Sequence, residues 1–230
     1  GFQSFNGRAT ENGMSGRQHQ EKAKERIHYW MDQRWNYGFI EWFSNVYYVE
    51  DIGPLANLID FAEDEDIRQK ATIVMDLLLY DLASQSWKGT FISNSGRLYE
   101  THKKGGAGSS MKLVSQEIFG YPQPGADERR GMDLNFLYVE NYEVPEVIRA
   151  IGRDEGTRVI RSSNGLNLSE LAGENLIGPG TDQIMMQLGM ESFTNPEVIA
   201  NTVDIINRHD MMSQRDLNAF GMVNYGLLRY

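Results

Sequence analysis

The residues best suited to chemistry lie close together in the run from Phe39 to Asp66. Aromatic rings alternate there with carboxylates and carboxamides, a mixture that a helix packed in a core does not require. Rings stack on the faces of sugars, and carboxylates and carboxamides hydrogen-bond with hydroxyl groups. The stretch therefore predicts a surface for a sugar or another polar ligand. Its members are Glu41, Trp42, Ser44, Asn45, Tyr47, Tyr48, Glu50 and Asp51.

A second group of chemically capable side chains follows in the run GRLYETH, at residues 96–102. Successive side chains of an extended chain point to opposite sides, so Arg97 and Tyr99 would lie on the same side. His102 ends the group. We expect this segment to fold over the opening of the ligand surface.

Most of the remaining chain predicts helices that would carry these two groups. Ala23, Ile27 and Trp30 follow helical spacing in the first of them, which Gly38 ends. Asp51 is a suitable N-cap for the next helix, and Asp64 or Asp66 for the one after it, so these two helices form a hairpin. Apolar spacing places Ile73, Leu77, Tyr80 and Leu82 in a broadly buried helix, and Trp30 and Trp35 in the core. The predicted helices span 18–35, 52–62, 67–84, 111–120, 145–151, 181–190, 196–208 and 216–228, with a short extended excursion near 88–102 and loops at 121–135 and 162–180.

Composition excludes several classes of protein. The chain of 230 residues carries a net charge of -10 and has no basic stripe for phosphates, so nucleic acid is not an expected partner. It has no cysteine, which rules out disulfides and thiolate metal sites. No apolar run approaches the roughly 20 residues that span a bilayer. The histidines show no metal-ligand spacing, and no metal site or organic cofactor is indicated.

A family resemblance is carried by three runs: GFIEWFSNVYYVEDIGPLANLIDFAEDEDI, VMDLLLYDLA and GTFISNSGRLYE. Together they resemble the middle of large bacterial proteins with an (α/α) toroid, related in architecture to the heparinase II/III-like and alginate-lyase-like polysaccharide lyases. The likeness covers about residues 18–120. The Asn-Asn-His run of the alginate-lyase type is replaced here by Ser44-Asn45-Val46-Tyr47-Tyr48. The resemblance implies a mostly α fold of helical hairpins forming part of a toroid, as one domain over 1–230 that is a fragment of a longer protein.

The same resemblance implies cleavage of uronic-acid-containing glycans by β-elimination. That reaction needs a group that neutralises the uronate carboxylate, a base and an acid. If residues 41–48 are helical, Glu41, Asn45 and Tyr48 share a face, with Asn45 as the neutraliser and Tyr48 as the acid or base. Arg97 would clamp a carboxylate and His102 would be the base. The substrate-binding residues would then be Glu41, Trp42, Tyr47 and Tyr99.

Each of these residues also has a structural interpretation. Asn45 caps helices or holds loops as readily as it catalyses. Tyr47 and Tyr48 are more often packed aromatics than proton donors. Arg97 suits an ordinary surface or ion-pair position, and His102 suits an exposed loop.

Two further functions remain open at this point. Glu41 with Asp51 or Asp60 could supply the acid and base of a glycoside hydrolase. Alternatively, the chain is a non-catalytic carbohydrate-binding or assembly subunit, with its aromatics as a stacking platform. All three hypotheses place it on a polysaccharide or oligosaccharide in the periplasm or outside the cell, with other parts of the same polypeptide as further partners.

Overall fold

The computed structural model describes residues 13–91, 94–96, 98–103, 108–124, 131–162, 165–178, 180, 183 and 196–208. This part of the chain is mostly helical, as predicted. It divides into two compact units, residues 1–164 and 165–230. The toroid, and its extent as one domain over 1–230, stay predictions. The elements of the first unit are α1 (Gly16–Tyr37), α2 (Tyr48–Phe61), α3 (Glu65–Ser84), β1 (Ser86–Trp87), β2 (Thr90–Phe91), α4 (Glu100–Lys103), α5 (Lys112–Phe119), α6 (Asp133–Leu137) and α7 (Glu146–Arg153).

Helix α1 confirms the first predicted helix and extends it at both ends. Ser15 begins it with a capping box, in which the Ser15 hydroxyl accepts from the Gln18 amide and the Gln18 side chain accepts from the Ser15 amide. Gly38 ends it at a φ of 75°, a conformation that a residue with a Cβ rarely adopts.

The predicted hairpin of α2 and α3 is confirmed, but the start of α2 is not where the sequence placed it. Helix α2 begins at Tyr48, and residues 41–47 form turns, so the expected helical face shared by Glu41, Asn45 and Tyr48 does not exist. Asp51 lies within the first turns of α2 instead of capping it. At the start of α3, the Asp64 carboxylate accepts from the amides of Asp66 and Ile67, which confirms Asp64 as the cap.

Helix α3 is the centre of the first unit, because α1, α2 and α7 all pack against it. Helix α2 also contacts α6, and α5 contacts α6, α7 and β2. Three predictions of burial are wrong: Trp35 is 62% exposed, Tyr80 49% and Ile73 37%. Trp35 and Ile73 instead line a cavity between α1 and α3. The most buried core residues include Met31, Ile52, Leu55, Ile59, Ala71, Met75, Leu78, Leu79, Leu82 and Met111.

The extended excursion is shorter and begins earlier than predicted. Strands β1 and β2 form an antiparallel hairpin in which Ser86 pairs with Phe91. Its turn residues Lys88 and Gly89 both have positive φ, 49° and 72°, the combination that a two-residue hairpin turn requires. Residues 94–96 are irregular, and Glu100–Lys103 is a helical turn.

Later elements follow the sequence closely. The predicted helices at 111–120 and 145–151 correspond to α5 and α7. The predicted loop at 121–135 is interrupted by the short helix α6, which begins at Asp133. In the described part of the chain, no helix combines the length and the apolar character that crossing a bilayer requires.

The second unit contains a 3-10 turn, Leu168–Glu170, and helix α8, Pro196–Arg208. The helix has the bounds predicted from the sequence, and the turn lies within the predicted loop at 162–180. Leu171, Leu176, Ile205 and Ile206 are buried. The predicted helices at 181–190 and 216–228 lie outside the described residues, apart from Gln183.

Candidate functional site

The turns that precede α2 carry the predicted ligand surface, and hydrogen bonds from residues far along the chain fix them. Phe43 has a φ of 51°, unusual for an aromatic residue. The Ser95 hydroxyl donates to the Phe43 carbonyl at 2.8 Å, and the Gly96 amide donates to the Trp42 carbonyl at 2.9 Å. The excursion after β2 therefore holds the turn that carries Trp42, whose side chain is 44% exposed.

Asn45 receives a second set of hydrogen bonds on its backbone. Its carbonyl accepts from the Ser110 amide at 2.8 Å and from the hydroxyls of Ser109 and Ser110 at 3.3 and 3.1 Å. The Ser110 hydroxyl also donates to the Val46 carbonyl at 2.6 Å. The Asn45 side chain is buried, and its Oδ1 has no hydrogen-bond partner among the described residues. Its visible contribution is thus to join two loops through its backbone.

Tyr48 lies inside the core, with 1% of its surface exposed. Its hydroxyl accepts from the Phe43 amide at 2.7 Å and donates to Asp81 Oδ2 at 3.1 Å. Burial, reinforced by the Asp81 carboxylate, raises the pKa of Tyr48 far above its ordinary value. The hydroxyl of Tyr48 therefore connects α2 to α3.

Three of the sequence-predicted site residues do meet. The hydroxyls of Tyr47 and Tyr99 are 2.5 Å apart, and their rings lie edge to face with centroids 6.3 Å apart. The His102 ring lies next to Tyr99, with centroids 5.9 Å apart, and the His102 amide donates to the Tyr99 carbonyl. Tyr99 is 45% exposed. We call Tyr47, Tyr99 and His102 the tyrosine–histidine cluster. Arg97, predicted to accompany them, lies outside the described residues.

A cavity of about 400 Å³ lies between the end of α1, the turns and the start of α2. We call it the Arg34 pocket. Tyr47 belongs both to its lining and to the tyrosine–histidine cluster, so the two features are continuous. Aromatic rings and carboxylates dominate its walls, in agreement with the mixture seen in the sequence. Its lining is Trp30, Arg34, Phe39, Ile40, Glu41, Ser44, Tyr47, Tyr48, Glu50 and Asp51.

The surroundings of Asp51 raise its pKa into the range of a proton donor. Burial raises its pKa to about 7, Arg34 opposes that rise, and the neighbouring carboxylates of Glu50 and Glu41 add to it. Near neutral pH its carboxyl group is thus part protonated, which an exposed aspartate would not be. A carboxylic acid in this state can give a proton to a leaving oxygen.

The sequence suggested two carboxylate pairs, Glu41 with Asp51 and Glu41 with Asp60, and only one of them lies on a single cavity. Glu41 and Asp51 line the same pocket. Asp60 lines another cavity, and its carboxylate accepts from the backbone amides of Glu140 and Asn141 and from the Asn141 side chain. Those bonds give Asp60 a structural role in holding the segment that precedes α7.

The sequence placed Glu50 in the predicted ligand surface but did not predict Arg34, which also lines the pocket. Arg34 is only 5% exposed, and its guanidinium lies 5.5 Å from the centre of the Trp30 ring. A signal was present: Arg34 follows Ile27, Trp30 and Met31 at helical spacing, which puts a cation on the buried stripe of α1. Buried cations are rare without a partner or a task.

Among the described residues, no group of three or more acidic or histidine side chains is arranged to hold a metal ion. No protein-family model matches the chain, and comparisons with curated proteins and with solved structures found no match.

Proposed function

We propose that the first unit binds a polysaccharide in the Arg34 pocket and hydrolyses a glycosidic bond there, outside the cytoplasm. The observation that supports this most directly is the presence of Glu41 and Asp51 on one aromatic-lined cavity. A pair of carboxylates flanking the scissile bond is the usual equipment of glycoside hydrolases.

In this mechanism Asp51 is the general acid. Its proton passes to the glycosidic oxygen as the bond from that oxygen to the anomeric carbon breaks. The Glu41 carboxylate activates a water molecule, or attacks the anomeric carbon itself, on the opposite face of the sugar ring. Trp30 and Tyr47, which are partly exposed, supply rings for the sugar.

Release of reducing ends from a panel of polysaccharides tests the proposal. Asp51→Asn and Glu41→Gln should each lower kcat by about 100-fold or more, in line with the usual contribution of a general acid or base. Asp60→Asn is the matched control, because it changes a carboxylate of α2 that lines another cavity. Full activity in Asp51→Asn would refute the assignment.

A second candidate function, β-elimination of a uronate polymer, is favoured by the tyrosine–histidine cluster. A phenol that is hydrogen-bonded to a second phenol and lies beside a histidine can accept or pass on a proton when a C–H bond is broken. Elimination creates a product that absorbs in the ultraviolet, which hydrolysis does not. Loss of that absorbance in Tyr47→Phe, with no loss in Tyr80→Phe on the surface of α3, would support elimination.

A further inference from the structure

Arg34 is a buried hydrogen-bond donor without a visible acceptor. Its side chain lines the pocket, its residue is 5% exposed, and its Nε has no hydrogen-bond partner among the described residues. Buried polar groups are bonded in the great majority of folded proteins. Because Arg34 also lines the cavity, a ligand bound there is placed to complete the bonding of its guanidinium.

The surroundings of Arg34 show which kind of atom that would be. Within the described part of the chain Arg34 forms no ion pair, and its guanidinium instead faces the Trp30 ring. Asp51 acts on it through space, and both residues line the same cavity. A group that accepts from Arg34 and donates to Asp51 would satisfy both. A sugar hydroxyl does both at once.

The net charge of the lining decides between neutral and acidic sugars. By formal count the lining sets one cation, Arg34, against the three carboxyl groups of Glu41, Glu50 and Asp51, and protonation of Asp51 still leaves two of them. Tyr48 and Tyr29 also interact electrostatically with Arg34. A uronate carboxylate would enter against this field, whereas a neutral sugar would not.

We infer that the Arg34 pocket binds a neutral sugar unit, one hydroxyl of which bridges Arg34 and Asp51. The inference rests on the proposed function in treating the pocket as a glycan site, and it names the class of glycan. Arg34 is then a substrate-binding residue, and the partly exposed rings of Trp30 and Tyr47 contact the sugar.

The test measures binding separately from cleavage, by calorimetry in the cold at pH 8 with the Glu41→Gln variant, in which Glu50 and the ionised Asp51 still outnumber Arg34. The probes are hexasaccharides of glucose, mannose and xylose, a hexagalacturonate and a glucosamine hexamer. At low salt at least one neutral hexasaccharide should bind about tenfold more tightly than hexagalacturonate, the scale of one unfavourable charge contact. Binding by no neutral probe, or tighter binding of a charged one, overturns the inference. Neutral binding without hydrolysis by the wild-type protein would instead leave it standing and refute the proposed function.

Arg34→Met keeps the length of the side chain and its packing on Trp30 but removes the donors. Affinity for the neutral probe should fall by about 10- to 100-fold, the usual effect of losing a hydrogen bond from a charged donor. Arg17→Met, an exposed arginine of the same helix paired with Glu21, is the control and should bind as before. Arg34→Lys retains the charge without the Nε and should also weaken binding by about tenfold. Unchanged affinity in either Arg34 variant refutes the bridging role, and Arg34→Lys decides if Arg34→Met does not fold.

Discussion

The Tyr48 hydroxyl donates to the Asp81 carboxylate at 3.1 Å, which ties the first turn of α2 to the last turn of α3. The same oxygen accepts from the Phe43 amide and so holds the turn beside the Arg34 pocket. Burial raises the pKa of Asp81 to about 6, while the bond from Tyr48 works against that rise. One buried phenol thus couples the helical hairpin to the loop that forms the candidate site.

Tyr48→Phe should lower the free energy of unfolding by about 1–3 kcal/mol, because it leaves the Asp81 carboxylate and the Phe43 amide without this partner. Chemical denaturation at pH 7 measures the loss. Tyr80→Phe, on the exposed side of α3, is the control and should change stability by less than about 0.5 kcal/mol. Equal stability of the two variants would contradict the geometry of the hydrogen bond.

Asp51→Asn should stabilise the protein in a pH-dependent way. Folding raises the pKa of Asp51 from its ordinary value of 3.8 to about 7, so the folded state binds the proton more tightly than the unfolded state. Stability contributed by this group is therefore present in acid and is lost as the pH rises from about 4 to 7. At pH 8 the free energy of unfolding of the variant should exceed that of the wild type by about 4 kcal/mol, the equivalent of a pKa change from 3.8 to about 7. The variant should therefore melt at a higher temperature than the wild type at pH 8 and at nearly the same temperature at pH 4. The exposed Glu63→Gln should show no such difference between the two pH values.

The activity of the wild type should decline as the pH rises through about 7, because the catalytic acid Asp51 loses its proton there. The positive charge of Arg34 lowers the pKa of Asp51, so removing that charge should move the alkaline limb to higher pH. Profiles of kcat against pH for the wild type and Arg34→Met, at saturating substrate, measure the shift. An alkaline limb at the same pH in both proteins would exclude electrostatic coupling between the two residues during catalysis.

Ser110→Ala should loosen the turn that carries Tyr47. The Ser110 hydroxyl is 3.1 Å from the Asn45 carbonyl and 2.6 Å from the Val46 carbonyl, and both bonds would be lost. We expect destabilisation of about 1 kcal/mol together with faster amide exchange in residues 43–47. Ser95→Ala removes a single bond to the Phe43 carbonyl and should have a smaller effect of the same kind. Exchange rates unchanged in Ser110→Ala would show that the turn is held by other contacts.

Local sequence signals predicted the helices well. Gly38, Asp64 and Gly120 act at helix ends because left-handed conformations and side-chain caps depend on a few neighbouring residues. Burial was predicted less well. Trp35 and Tyr80 follow the apolar spacing of their helices, yet whether a neighbouring element covers them depends on packing that no local pattern records.

The candidate site was likewise predicted in part, with its local composition right and its burial wrong. Sequence proximity placed Glu41 and Tyr47 in one ligand surface, and they line one pocket. It also assigned proton transfer to Tyr48, but Tyr48 begins α2 and is buried in the core.

By itself the sequence determined a mostly helical chain, a hairpin around Asp64, and a stretch near residue 45 rich in rings and carboxylates. Those features arise from propensities and caps that act over a few residues. Only the tertiary structure brought Arg34, distant in the chain, to the wall that Asp51 also lines, and placed Tyr99 against Tyr47. Burial then raised the pKa of Asp51, since the loss of hydration that destabilises its charge exists only once the helices have packed.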